Sequence, residues 1–100
     1  SLFLSSITAP PSEELYVTQA RKDPCWRELV LRESGWKWWT QNIHSTAYGL
    51  GQFLDSTWAG TGYEKSDDPE IQLAAMLTYI QNRYGTTCEA LRHQIREGWY

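Results

Sequence analysis

At 100 residues, with 41% hydrophobic and 21% charged, the chain is long enough for one small domain around one core. A net charge of −3 with nine scattered Lys and Arg excludes the basic field that nucleic-acid binding needs. No apolar run approaches the roughly 20 residues that cross a bilayer, so no membrane span is expected. Residues 1–11 mix Ser, Pro and short apolar groups without a period, and read as an extended arm or linker remnant ending at Pro10-Pro11. The chain opens on Ser1 rather than methionine, which fits a processed secreted protein or a domain from a longer polypeptide. The domain proper is expected over 12–100, as a monomeric unit.

Ser12 is placed to cap a short helix running to about Ala20, with Glu13 and Glu14 in its first turn. Asp23 and Pro24 then read as the N-cap and first residue of a helix ending near Ser34, with Gly35 as its stop. Within it Trp26, Leu29, Val30 and Glu33 fall at i, i+3, i+4 and i+7, so an apolar stripe ends in an acid. A carboxyl among apolar neighbours has its pKa raised and can act as a general acid near neutrality. The competing reading places Glu33 at the margin of the stripe with its carboxylate in water.

From Trp36 to Ala47 no helical period is visible, and the segment reads as a loop, with room for a short strand pair. Trp36, Trp38 and Trp39 crowd into it; one or two cover the core, and an exposed indole face such as that of Trp39 suits stacking on sugar rings. A further helix is expected from about Leu50, turning Phe53, Leu54 and Trp58 inward, with Gly49 and Gly51 flanking its first turn and Gly60 and Gly62 breaking it. Asp68-Pro69 repeats the cap pattern and starts the central helix, which carries Leu73, Leu77, Ile80 and Tyr84 in one row to a stop at Gly85. Thr86 and Glu89 form a capping-box pattern for a last helix, apolar at Cys88, Leu91 and Ile95 and closed by Gly98. The sum is a mainly α domain of four or five helices, with irregular structure or a short β-hairpin between Trp36 and Gly49.

Cys25 and Cys88 sit at the starts of two different helices. Joined, they close a loop worth roughly 4 kcal/mol in the chain-entropy model and imply an oxidising compartment. The alternative is two buried thiols. The two cysteines with His44 and His93 show no metal-ligand spacing, so neither metal nor cofactor is expected.

Breaking a glycosidic bond usually takes an acid for the leaving oxygen and a second carboxylate as nucleophile or base. Glu33 suits the first role, but no Asp or Glu occurs from Trp36 through Leu54, the segment expected to wall a cleft beside it. Asp55, Glu64, Asp67 and Asp68 remain for the second role, although Asp55 and the Asp67-Asp68 pair have structural explanations at helix positions. One acid alone suffices where the substrate supplies its own nucleophile.

Glu33-Ser34-Gly35-Trp36, then Asn42, then Ser45-Thr46-Ala47-Tyr48-Gly49-Leu50-Gly51-Gln52-Phe53 resembles the catalytic core of the soluble lytic transglycosylase family, which has a lysozyme-like fold. Tyr79-Ile80 with Arg83-Tyr84-Gly85, and Gly98-Trp99-Tyr100, look like its small secreted or phage-borne branch, and the likeness spans residues 24–100. The resemblance implies that Glu33 is the sole acid/base, cleaving between N-acetylmuramic acid and N-acetylglucosamine in peptidoglycan with formation of a 1,6-anhydro ring. It further implies that Ser45 contacts the muramoyl N-acetyl group, that Tyr48, Gly49, Leu50, Gly51 and Gln52 wall the glycan cleft, and that Tyr79 hydrogen-bonds or orients the acid. The location implied is extracellular, periplasmic, in the cell wall or on a virion. Ile43 stands where the family often has proline and Gly51 where methionine is frequent, which bears on subsite shape. A hydrolytic muramidase on the same fold, or a catalytically silent glycan-binding or tail module, are the rival expectations.

Overall fold

The computed structural model describes residues 15–100, so the arm over 1–11 and the cap expected at Ser12 lie outside the described residues. Five helices carry the chain: α1 (Leu15–Lys22), α2 (Pro24–Ser34), α3 (Asp55–Thr61), α4 (Pro69–Arg83) and α5 (Thr87–Glu97). The fold is mainly α. The first helix runs two residues beyond the expected Ala20, and the N–H groups of Tyr16 and Val17 are bound at 2.9 and 2.7 Å by the carboxylate of Glu70, which reaches across from α4. None of the described helices is long and apolar enough to cross a membrane.

α2 is set at both ends by its own sequence. Asp23 Oδ1 accepts from the N–H groups of Cys25 and Trp26, and Gly35 closes the far end at φ +63°, its N–H donating to the Leu31 carbonyl. Trp26, Leu29 and Val30 face the core as the period requires. There they meet Leu73, Met76 and Ile80 of α4, Trp58 of α3, and Ala20 and Ala90. The indole N–H of Trp26 is satisfied inside the core by Met76 Sδ at 3.3 Å. Cys25 and Cys88 form a disulfide that ties the start of α2 to the start of α5.

The segment between α2 and α3 is irregular, with two isolated antiparallel bridges, Gln41 with Tyr48 and Tyr48 with Phe53. Here the expected helix from Leu50 is corrected: α3 begins only at Asp55. The backbones of Tyr48 and Phe53 bond each other in both directions, at 3.1 and 3.3 Å, and the Leu50 N–H is taken by Gln72 Oε1, so these groups are committed to a turn. Leu50 and Phe53 are buried from that turn rather than from a helix, whereas Leu54 precedes α3 and is 44% exposed. Gln72 is the device that holds the segment. Only 1% exposed within α4, it also donates from Nε2 to the carbonyls of Trp38 and Ser66. A Cβ on Gly49 would stand 2.8 Å from that carboxamide, so the chain passes there only as glycine.

The stripe expected on α5 is also corrected. Ala90 is fully buried, Leu91 is half-buried, Cys88 is exposed and Ile95 is 56% exposed. At about 100° per residue, Ile95 lies about 140° around the helix from Ala90, whereas Gln94 returns to within about 40° of it. The polar residue, not the isoleucine, therefore faces inward.

Candidate active site

The inward row of α2 ends at Glu33, which is half-buried and opens into a cleft of about 260 Å³. Gln52, Phe53 and Leu54 from the turn, Thr57 from α3, Tyr79 from α4, and Trp99 with Tyr100 after α5 complete its lining. Glu33 is the only carboxylate among these residues. Burial against this largely aromatic lining pushes its pKa up from 4.5 to about 7, and the nearby Gln94 carboxamide pulls partly the other way. Gln94 Oε1 is itself buried without a hydrogen-bond partner among the described residues. Near neutrality the acid is thus poised between its two forms, as a group that gives and retakes a proton must be.

The other walls are held by the fold. Gln52 adopts a left-handed backbone at φ +53° and donates from Nε2 to the carbonyls of Thr40 and Gly49, at 2.9 and 2.8 Å. With both amide hydrogens committed, its Oε1 is the end left to accept from a bound hydroxyl or acetamide. Tyr100 donates its hydroxyl to the Gly51 carbonyl at 3.0 Å and would meet a Cβ on Gly51 at 2.9 Å, so Gly51 is what lets the tyrosine seal the turn. Burial, reinforced by the adjacent Glu33 charge, raises the Tyr100 hydroxyl well above its usual range. Tyr79 lines the cleft, but its hydroxyl donates to the Tyr100 carbonyl at 3.1 Å.

The remaining residues expected at the site are placed elsewhere. Tyr48 gives its hydroxyl to Asp67 on the outer side of the turn, with Lys65 5.3 Å from its ring centroid. Ser45 is exposed, and its Oγ accepts from the Ala47 N–H in a local turn. Leu50 is core, and Gly49 shapes the turn around Gln72. Trp39 is 57% exposed and packs edge-on against Trp38, outside the lining of the Glu33 cleft. Trp36 is half-buried beneath the Arg21 guanidinium, so it covers the core. Of the acids considered for a second role, Asp55 pairs with Lys65, Asp67 accepts from Tyr48 and Asp68 caps α4.

Phe53, Leu54, Thr57, Trp99, Tyr100 and Gln94 escaped the residue-level reading of the site. For Trp99 and Tyr100 the aromatic pair after Gly98 was a usable signal; for Thr57 and Gln94 no local pattern marks them. Among the described residues no group of three or more His, Cys, Asp or Glu converges as metal ligands would. In comparisons with known proteins, no family model, no curated protein and no solved structure matches the chain.

Proposed function

We propose that the chain is a peptidoglycan lytic transglycosylase in which Glu33 is the single acid/base. The observation that carries this reading is a lone carboxyl in an aromatic cleft with its pKa raised to about 7. The sequence resemblance around Glu33 and Gln52 supplies the substrate class.

Protonated Glu33 gives its proton to the oxygen linking N-acetylmuramic acid to N-acetylglucosamine, and the bond from that oxygen to the muramoyl C1 breaks. The substrate's N-acetyl carbonyl supports the electron-poor C1, which replaces the second carboxylate that a two-acid glycosidase would need. Glu33, now a carboxylate, takes the proton of the muramoyl C6 hydroxyl as O6 bonds to C1. The anhydro ring closes and the acid is regenerated, so protons balance without water entering. The cleft fits this use: half-buried Glu33 can serve in both directions, Gln52 Oε1 is free to hold a sugar donor, and Trp99 presents a large flat ring. The disulfide accords with a protein working in an oxidising compartment, as a wall-directed enzyme or a virion component would.

Mass analysis of digested sacculi tests the reading. Products one water lighter than hydrolysed fragments, with a 1,6-anhydro end, are expected; reducing ends carrying water would assign a hydrolytic muramidase instead. Wall binding without any product would assign a silent glycan-binding module.

A further inference from the structure

The Glu33 cleft does not end at Tyr79. It shares Thr57 and Tyr79 with a second cavity of about 440 Å³, lined also by Ser56, Gly60, Asn82 and Arg83, so the two adjoin between α3 and α4. The far part differs in character from the acid end. Its lining carries three hydroxyls, a carboxamide and one full charge, that of Arg83.

Arg83 is held by its surroundings without being neutralised by them. Its guanidinium carbon lies 5.8, 5.7 and 5.5 Å from the ring centroids of Tyr79, Tyr84 and Trp99. Three aromatic rings flank the exposed guanidinium and leave its charge unpaired. No carboxylate among the described residues stands within ion-pairing distance of it, although Arg32, Lys65, Arg92 and Arg96 each have one. An arginine so placed is preorganised for a carboxylate, which its N–H fork meets in two parallel hydrogen bonds. Trp99 links the two halves, since one ring both lines the acid cleft and backs the guanidinium.

We propose that Arg83 is a subsite for a carboxylate carried on the glycan, in the cavity adjoining the cleft where Glu33 cleaves. This rests on the transglycosylase reading and deepens it. A muramoyl unit carries a lactyl ether whose carboxyl is either free or amide-linked to a stem peptide with carboxylates of its own. Either source presents the same group to Arg83.

The experiment compares binding and cleavage of two glycan preparations, peptide-bearing strands and strands stripped by amidase, each as the acid and after conversion of its carboxylates to methylamides. Binding is read by calorimetry on the Glu33→Gln protein, cleavage as KM and kcat on the active one, with Arg83→Gln and Arg83→Lys in each background. The acid form is expected to bind about tenfold more tightly than the methylamide form, with the advantage shrinking as salt rises. Arg83→Gln erases the advantage by weakening the acid form alone and acts on KM more than kcat, while Arg83→Lys keeps part of it. An advantage present on stripped strands assigns the lactyl carboxylate; one confined to peptide-bearing strands assigns the stem peptide. An advantage that survives in Arg83→Gln, equal loss on both forms, or no acid preference in the wild-type chain overturns the subsite while leaving lysis, and so the parent reading, standing. Absence of both lysis and wall binding removes the two together.

Discussion

At the start of α2, Asp23 has its carboxylate supplied with donors on both sides: Oδ1 takes the N–H groups of Cys25 and Trp26, and Oδ2 takes the Thr87 hydroxyl at 2.8 Å. At the far end of the same helix, Glu33 has aromatic rings and one carboxamide in place of that donor set, and its pKa rises to about 7. The difference teaches that the donors around a carboxyl, not its residue type, decide whether it is held in place or left short of partners. Asp23 anchors the helix, beside a disulfide that clamps the same corner to α5. Glu33 is left short of partners, which is unfavourable for folding when it ionises and useful for proton transfer.

Substitutions at the two ends should therefore separate activity from stability. The largest effect is expected for Glu33→Gln, which should lower lysis of purified cell walls by about a thousandfold while the fold and wall binding persist. Its stability should move the opposite way. With the folded pKa raised to about 7 from 4.5, the stability linked to protonated Glu33 is complete below pH 4.5 and is lost as pH rises through about 7. Glu33→Gln escapes that loss, so its Tm should equal the wild type's at pH 4 and exceed it by about 10 °C at pH 8, after roughly halving the effect for partial solvent exposure. A Tm gap that does not change between those pH values would break the contrast with Asp23.

At the other end, replacing Cys25 and Cys88 together by alanine should cost about 4 kcal/mol in urea unfolding, with lysis per folded molecule unchanged. Asp23→Ala should cost about 1 kcal/mol by the same measurement, again without touching the pH dependence of lysis. The smallest effect sharpens the Glu33 end. Gln94→Leu removes the carboxamide that lowers the Glu33 pKa, so the alkaline limb of the pH–rate profile should move to higher pH. An unmoved limb would mean that Gln94 does not reach the acid.

Much of this contrast was legible before the structure. The Asp-Pro starts at Asp23 and Asp68 and the stop at Gly35 are local chemistry, and a cap needs no knowledge of the rest of the fold. The stripe through Trp26, Leu29 and Val30 was legible by period, but period alone left open whether Glu33 turned inward or met water at the margin. The start of α3 was not legible, because Gln72, some twenty residues away, takes the Leu50 N–H, and only tertiary contact decides that competition. The inward turn of α5 was misjudged for a related reason. Small Ala90 and polar Gln94 face the interior, so hydrophobicity pointed to Ile95 and away from the residue beside the acid. Tyr48 and Ser45 show a third limit, since a position within a motif does not say which neighbours its side chain takes: Tyr48 donates to Asp67 and Ser45 accepts from the Ala47 N–H.

All of this depends on the dryness of the Glu33 cleft, which a 13C NMR titration of the Glu33 side-chain carboxyl reads without substrate or activity. A midpoint near 7 is predicted, with Glu33→Gln removing that titration alone. A midpoint near 4.5, the value of a carboxyl in water, would contradict it and leave the resemblance without its acid.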